Sequence, residues 1–178
     1  SLALTDGMAE ALLRNVMRNV KLALKTPDDY DARAEIMWAG TLSHNDITGD
    51  RSQGDWASHQ LEHELGGMFD IAHGAGLAAI WGSWARYVLK QDPCRFAQLA
   101  VNVLNVPYSF GNDEKTALEG IAAMEDFFRS IGMPTSISDM DIELTEEQIK
   151  ELAHKCSFMG RRTIGGFVTL NAADMENI

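Results

Sequence analysis

The chain of 178 residues is 46% hydrophobic, long enough for one well-packed core and short for two. Its formal net charge of −11 argues against nucleic acid and an anionic membrane surface as partners, because either needs a basic patch to displace counterions, and the one local run of positive charge is Arg161-Arg162. No uncharged stretch reaches the roughly 20 residues that span a bilayer, and Cys94 and Cys156 form no CxxC or secreted framework, so a cytoplasmic protein with two small, buried cysteines is expected.

Taken in chain order, the pattern predicts helices almost throughout. Thr5 and Asp6 are placed to cap a first helix through about Leu24, with Met8, Leu12, Val16 and Val20 as its stripe. Thr26-Pro27 reads as the start of a second, with Asp28 and Asp29 complementing the dipole, continuing through Met37, Trp38 and Leu42 to about Asn45. Residues Gly49 to Gly54 read as a polar loop, and Asp55 as the cap of the next helix.

From Gly74 to Val88 the residues are apolar nearly all round, which predicts a central buried helix. Gly74, Gly76, Ala78 and Ala79 would let backbones approach, and Trp81 and Trp84 would fill the wider end of the core. Pro93 opens a fifth helix with Phe96, Leu99, Ala100 and Val103 on one face. After Pro107 comes a sixth with Leu118, Ile121, Met124 and Phe128, stopped by Gly132-Met133-Pro134. Thr145 to Gln148 is a capping-box pattern ahead of Ile149, Leu152, Ala153 and Cys156, and Asn171 caps a last short helix. No segment alternates like a strand. The expected fold is all-α, a bundle-like domain of about seven to eight helices over residues 1–178.

Three of the five histidines fall between Asp55 and Gly74. His59 and His63 are four apart, which puts them on one helix face, and the short turn after Gly66-Gly67 lets the chain fold back and present His73 beside them. Imidazoles from two elements suit zinc or ferrous iron. Buried, hydrogen-bonded structural histidines are the alternative.

His59-Gln60-Leu61-Glu62-His63 also matches HxxEH, the order of inverted-zincin metallopeptidases, with Glu62 as general base. That reading needs a distant acidic ligand such as Glu143 or Glu146 and leaves His73 unused. Otherwise Glu62 and Glu64 are expected to be solvated or paired with a lysine or arginine. Asp55 is read as a helix cap before a replacement ligand, His44 as ending the second helix before facing a cofactor, and His154 as a solvent or dipole-complementing residue. Trp56 and Trp81 are expected in the core rather than lining a substrate pocket.

The unit His59-xxx-His63-xx-Gly66, followed by His73-Gly74 fourteen residues after the first histidine, resembles the metal-site signature of the iron-containing (group III) alcohol dehydrogenases. The run Asp29-Tyr30-Asp31-Ala32-Arg33-Ala34-Glu35-Ile36-Met37-Trp38-Ala39-Gly40 is similar to the NAD(P)H-dependent butanol dehydrogenases and aldehyde reductases of that family. The resemblance implies a dehydroquinate synthase-like C-terminal helical domain in which His59 and His73 hold Fe2+ or Zn2+. His63 would be unligated beside nicotinamide and substrate, orienting the substrate or relaying a proton. Small primary alcohols and aldehydes are the implied substrates.

The family's two other ligands, an Asp and a His on a preceding helix, and its N-terminal nucleotide-binding α/β domain have no counterpart here. With Ser1 in place of an initiator Met, the expectation is a fragment or processed product, inactive alone. A non-catalytic helical module, dimerising through apolar surface as a homodimer, is the expectation from a different class of function.

Overall fold

The computed structural model describes residues 2–49 and 54–178; of the expected Gly49 to Gly54 loop, positions 50–53 lie outside the described residues. Among the described residues eight α-helices follow one another: α1 Ala3–Lys25, α2 Tyr30–His44, α3 Ala57–Phe69, α4 His73–Val88, α5 Pro93–Asn102, α6 Asp113–Ser130, α7 Glu146–Cys156 and α8 Ala172–Asn177. Among the described residues the β-structure amounts to one isolated antiparallel bridge, Ile164 to Leu170. The fold is all-α, as the pattern predicts.

α4 is the central element. Gly76, Ala78, Ala79, Ile80, Gly82, Ala85 and Val88 are all buried in it. Its C-terminal half joins Phe96 of α5, Ala117 and Ile121 of α6, Ala153 and Cys156 of α7, and Leu170 and Met175 in one core. Trp81 and Trp84 pack against that core, stacking edge-on or tilted on Phe128 and Phe96.

α1 and α2 form a hairpin that is thinner than its stripes imply. Its buried residues are Asn19, Ala32 and Ala39, while Leu13, Leu22, Leu24, Tyr30, Met37 and Trp38 are exposed. Polar contacts tie it to α5: Arg95 donates to both carboxylate oxygens of Asp6 (2.6 and 2.9 Å), and Gln98 and Asn102 donate to Glu10 (2.8 Å each). The Arg95 guanidinium holds the Asp6 carboxyl below its ordinary range.

Several boundaries correct the sequence reading. α1 starts at Ala3 without a side-chain cap, because Leu2 stands at the N-cap and Thr5 and Asp6 lie within the helix, where Asp6 pairs with Arg95. α2 is capped by Asp29, whose carboxylate accepts from Ala32 N at 3.0 Å, and Thr26 closes α1 instead of opening α2. The buried face of α6 runs through Ala117, Gly120, Ile121 and Met124, leaving Leu118 exposed, since small residues let α5 approach on that side. The capping boxes at Thr145 and Asn171 form as expected.

The cysteines divide. Cys156 is buried, and burial pushes its thiol above the usual range. Cys94 is exposed, contrary to expectation, because the first turn of α5 faces outward. Because the thiolate is the nucleophile, iodoacetamide is expected to label Cys94 in the native chain and Cys156 only after unfolding. Equal native labelling by mass spectrometry would contradict this.

Candidate metal centre

α3 carries two kinds of residue on two faces. Leu65 and Glu62 turn inward and are buried, while His59 and His63 share the outer face one turn apart. The helix ends at Phe69 with Asp70 in the left-handed region (φ 52°), its N–H closing on Gly66 O. Ala72 is extended, and His73 is the first residue of α4. The turn thereby brings a third imidazole back onto the first two.

The ring centroids are 4.6 Å apart for His59 and His63, 4.5 Å for His59 and His73, and 5.3 Å for His63 and His73. One ligand atom from each lies within 4.8 Å of the others. Burial, reinforced by the charges of His63 and His73, lowers the pKa of His59 below its ordinary value, against a smaller opposite effect of Glu62. His59 therefore favours the neutral form that binds metal.

Nδ1 of His73 is bonded to Oε2 of Glu62, which leaves Nε2 as the free nitrogen of that ring. Three imidazoles from two helices, one of them anchored by a carboxylate, fit Fe2+ or Zn2+ by donor chemistry.

The remaining candidates separate cleanly. Glu62 is neither solvated nor paired with a lysine or arginine among the described residues: it is buried against His73, because the α3–α4 turn folds α4 over that face. Asp55 precedes the N-cap residue Trp56 and is a clamp. One oxygen accepts from Ala57 N (2.8 Å), and the other from Gly166 N (3.0 Å) and Phe167 N (2.8 Å).

Trp56 is not in the core; it is exposed, with its ring edge-on to His59 at 5.2 Å. His44 ends α2, bonded to Gly40 O, and His154 is exposed in the last turn of α7. Among the described residues no carboxylate, Glu143 and Glu146 included, adds a ligand atom to the group formed by the three histidines. Among the described residues the HxxEH arrangement thus has no acidic third ligand, and its would-be base is already bonded to His73. The apolar cavity of about 410 Å³ between α3, α4, α7 and α8 takes Leu61 and Leu65 from α3 and none of the histidines.

Residues 1–178 match the family model described as Fe-containing alcohol dehydrogenase family, C-terminal. The chain is 36% identical over 173 residues to a probable NADH-dependent butanol dehydrogenase of Bacillus subtilis, covering 97% of this chain and 44% of that protein. It is 33% identical over 174 residues to NADH-dependent butanol dehydrogenase A of Clostridium acetobutylicum, with 97% and 44% covered.

Among solved structures, NADH-dependent butanol dehydrogenase A of Thermotoga maritima superposes with a TM-score of 0.89 at 29% identity, covering 98% of this chain and 44% of that one. The aldehyde reductase YqhD of E. coli gives a TM-score of 0.89 at 29% identity, with 99% and 46% covered. The chain thus spans less than half the length of the relatives it matches.

Proposed function

The chain belongs to the Fe-containing alcohol dehydrogenase family, as its C-terminal part, and from that premise we propose that it supplies the metal-holding helical portion of an NAD(P)H-dependent enzyme interconverting small primary alcohols and aldehydes. His59 and His73 are the ligands contributed by this portion, and Fe2+ or Zn2+ is the ion. When bound, the metal polarises the aldehyde oxygen or stabilises the alkoxide while hydride moves between substrate and nicotinamide.

The observation that carries the reading is the convergence of three imidazoles on one point from α3 and α4. His59 binds through a ring whose pKa burial lowers, and His73 through the nitrogen that Glu62 does not occupy. His63, left unligated, orients the substrate or relays its proton at the imidazole nitrogen facing the cluster. The nucleotide is bound outside these 178 residues, so the polypeptide alone is expected to turn over no aldehyde.

Loading the purified, metal-free chain anaerobically with Fe2+, or with Zn2+, and measuring retained metal by elemental analysis tests the reading. Retention of about one ion per chain is expected, with no NADH oxidation in the presence of butanal. Absence of retained metal would count against the centre. Turnover would refute the assignment of the nucleotide site elsewhere.

A further inference from the structure

Glu62 stands next to His63 in sequence but on the inner face of α3, 2% exposed, while the His73 side chain it bonds is 47% exposed. Two glycines make room for it. A Cβ on Gly76 of α4 would lie 2.7 Å from Cγ and Oε1 of Glu62 and 2.9 Å from Cδ1 of Ile71, and one on Gly66 would lie 3.1 Å from Oε1. An alanine at 76 has no space unless the carboxylate or Ile71 shifts. Among the described residues the ion-pair partner of this carboxylate is His73, with no lysine or arginine beside it. A carboxylate taken out of water is costly without a partner, and here the partner is a histidine of the metal cluster.

Resting on the metal reading above, we propose that Glu62 is the positioning residue of the centre: it accepts the hydrogen bond of His73 Nδ1–H and so fixes the Nε2 lone pair as the donor. A neutral imidazole carries one N–H and one lone pair, so pinning the proton to one nitrogen pins the lone pair to the other. The same contact restrains ring rotation at the start of α4. Its negative charge also offsets the charge of a bound cation. Gly66 and Gly76 then belong to the device, since side chains there would displace the carboxylate.

The test uses the 178-residue chain labelled with 15N, metal-free, at about pH 8.5, well above the ordinary histidine range. Two variants are compared with the parent. Glu62→Leu replaces the buried carboxylate by an apolar side chain of similar size and leaves a His73 ring that is half exposed to water, and Glu62→Gln keeps the shape without the charge.

Long-range proton–nitrogen spectra are expected to show His73 as the Nδ1–H tautomer in the parent and shifted toward Nε2–H in Glu62→Leu. Zn2+ affinity is expected to fall 10- to 100-fold in both variants, the usual effect of losing such a partner. A side chain that merely packs α3 on α4 would move neither readout. An Nε2–H tautomer in the parent, an unchanged tautomer in Glu62→Leu, or unchanged Zn2+ affinity in both variants would overturn the proposal. Failure of the parent to bind Zn2+ at all would instead refute the metal reading, while the tautomer would still decide the role of Glu62.

Discussion

His59→Ala and His73→Ala are each expected to weaken Zn2+ or Fe2+ binding by roughly two to three orders of magnitude. Structural zinc sites with four protein ligands bind with about 10–16 kcal/mol, which is about 2.5–4 kcal/mol per ligand, and about 1.4 kcal/mol is a factor of ten. His63→Ala is expected to cost far less, because that ring is assigned beside the metal and not on it.

The contrast among the three variants is the decisive part, since all three rings lie within 5.3 Å of one another and a merely polar cluster would not rank them. Competition against a chromophoric chelator reads the affinities. Saturating metal at about a hundred times the Kd is expected to stabilise the parent by about 2.7 kcal/mol, and the two ligand variants should lose that increment. A large loss in His63→Ala with none in His59→Ala would overturn the assignment of ligands.

The second large effect lies at the crossing of α5 and α6. A Cβ at Gly120 would stand 2.3 Å from Ala100 Cβ and 3.0 Å from Ala100 Cα, and Ala100 is fully buried. The obstruction includes backbone, so the helices must separate to admit a side chain. Overpacking by a methylene costs about 1–3 kcal/mol. Gly120→Val adds three carbons, and its cost is expected to be about 3 kcal/mol or more, a large share of a typical stability of about 5–15 kcal/mol.

Gly7→Ala, in α1 with nothing within 4 Å of its would-be Cβ, is the matching control. It is expected to stabilise by about 0.5–1 kcal/mol through helix propensity. Urea denaturation of both variants checks the pair. A Gly120→Val midpoint equal to that of the parent would mean that the two helices do not cross this closely.

Much of this molecule was legible because helices announce themselves locally. The apolar run from Gly74 to Val88, the capping pattern at Thr145 to Gln148 and the cap at Asn171 each depend on residues within one or two turns. The histidine cluster was legible for a similar reason. A spacing of four fixes His59 and His63 on one face, and a short turn returns His73 to them.

Glu62 was misread because its spacing carries no sign of what lies opposite. Gly66 and Gly76 are the one hint available in the sequence, and their meaning appears only when α4 is laid on α3. Trp56 was misplaced by the general tendency of tryptophan to bury, which the outward position ahead of α3 overrides. The cap of α2 moved from Thr26 to Asp29 because two capping candidates stood three residues apart and sequence alone did not rank them.

Short-range periodicity and fixed spacing were enough for the all-helical class, the order of the elements and the three imidazoles, while the family came from likeness to known sequences. The tertiary structure alone decided which face of α6 is buried, that Asp55 clamps the segment at Gly166 and Phe167, and that Glu62 is withdrawn from water to hold His73. These join positions 11 to 112 residues apart, and only the packing of whole helices brings such groups within hydrogen-bond reach.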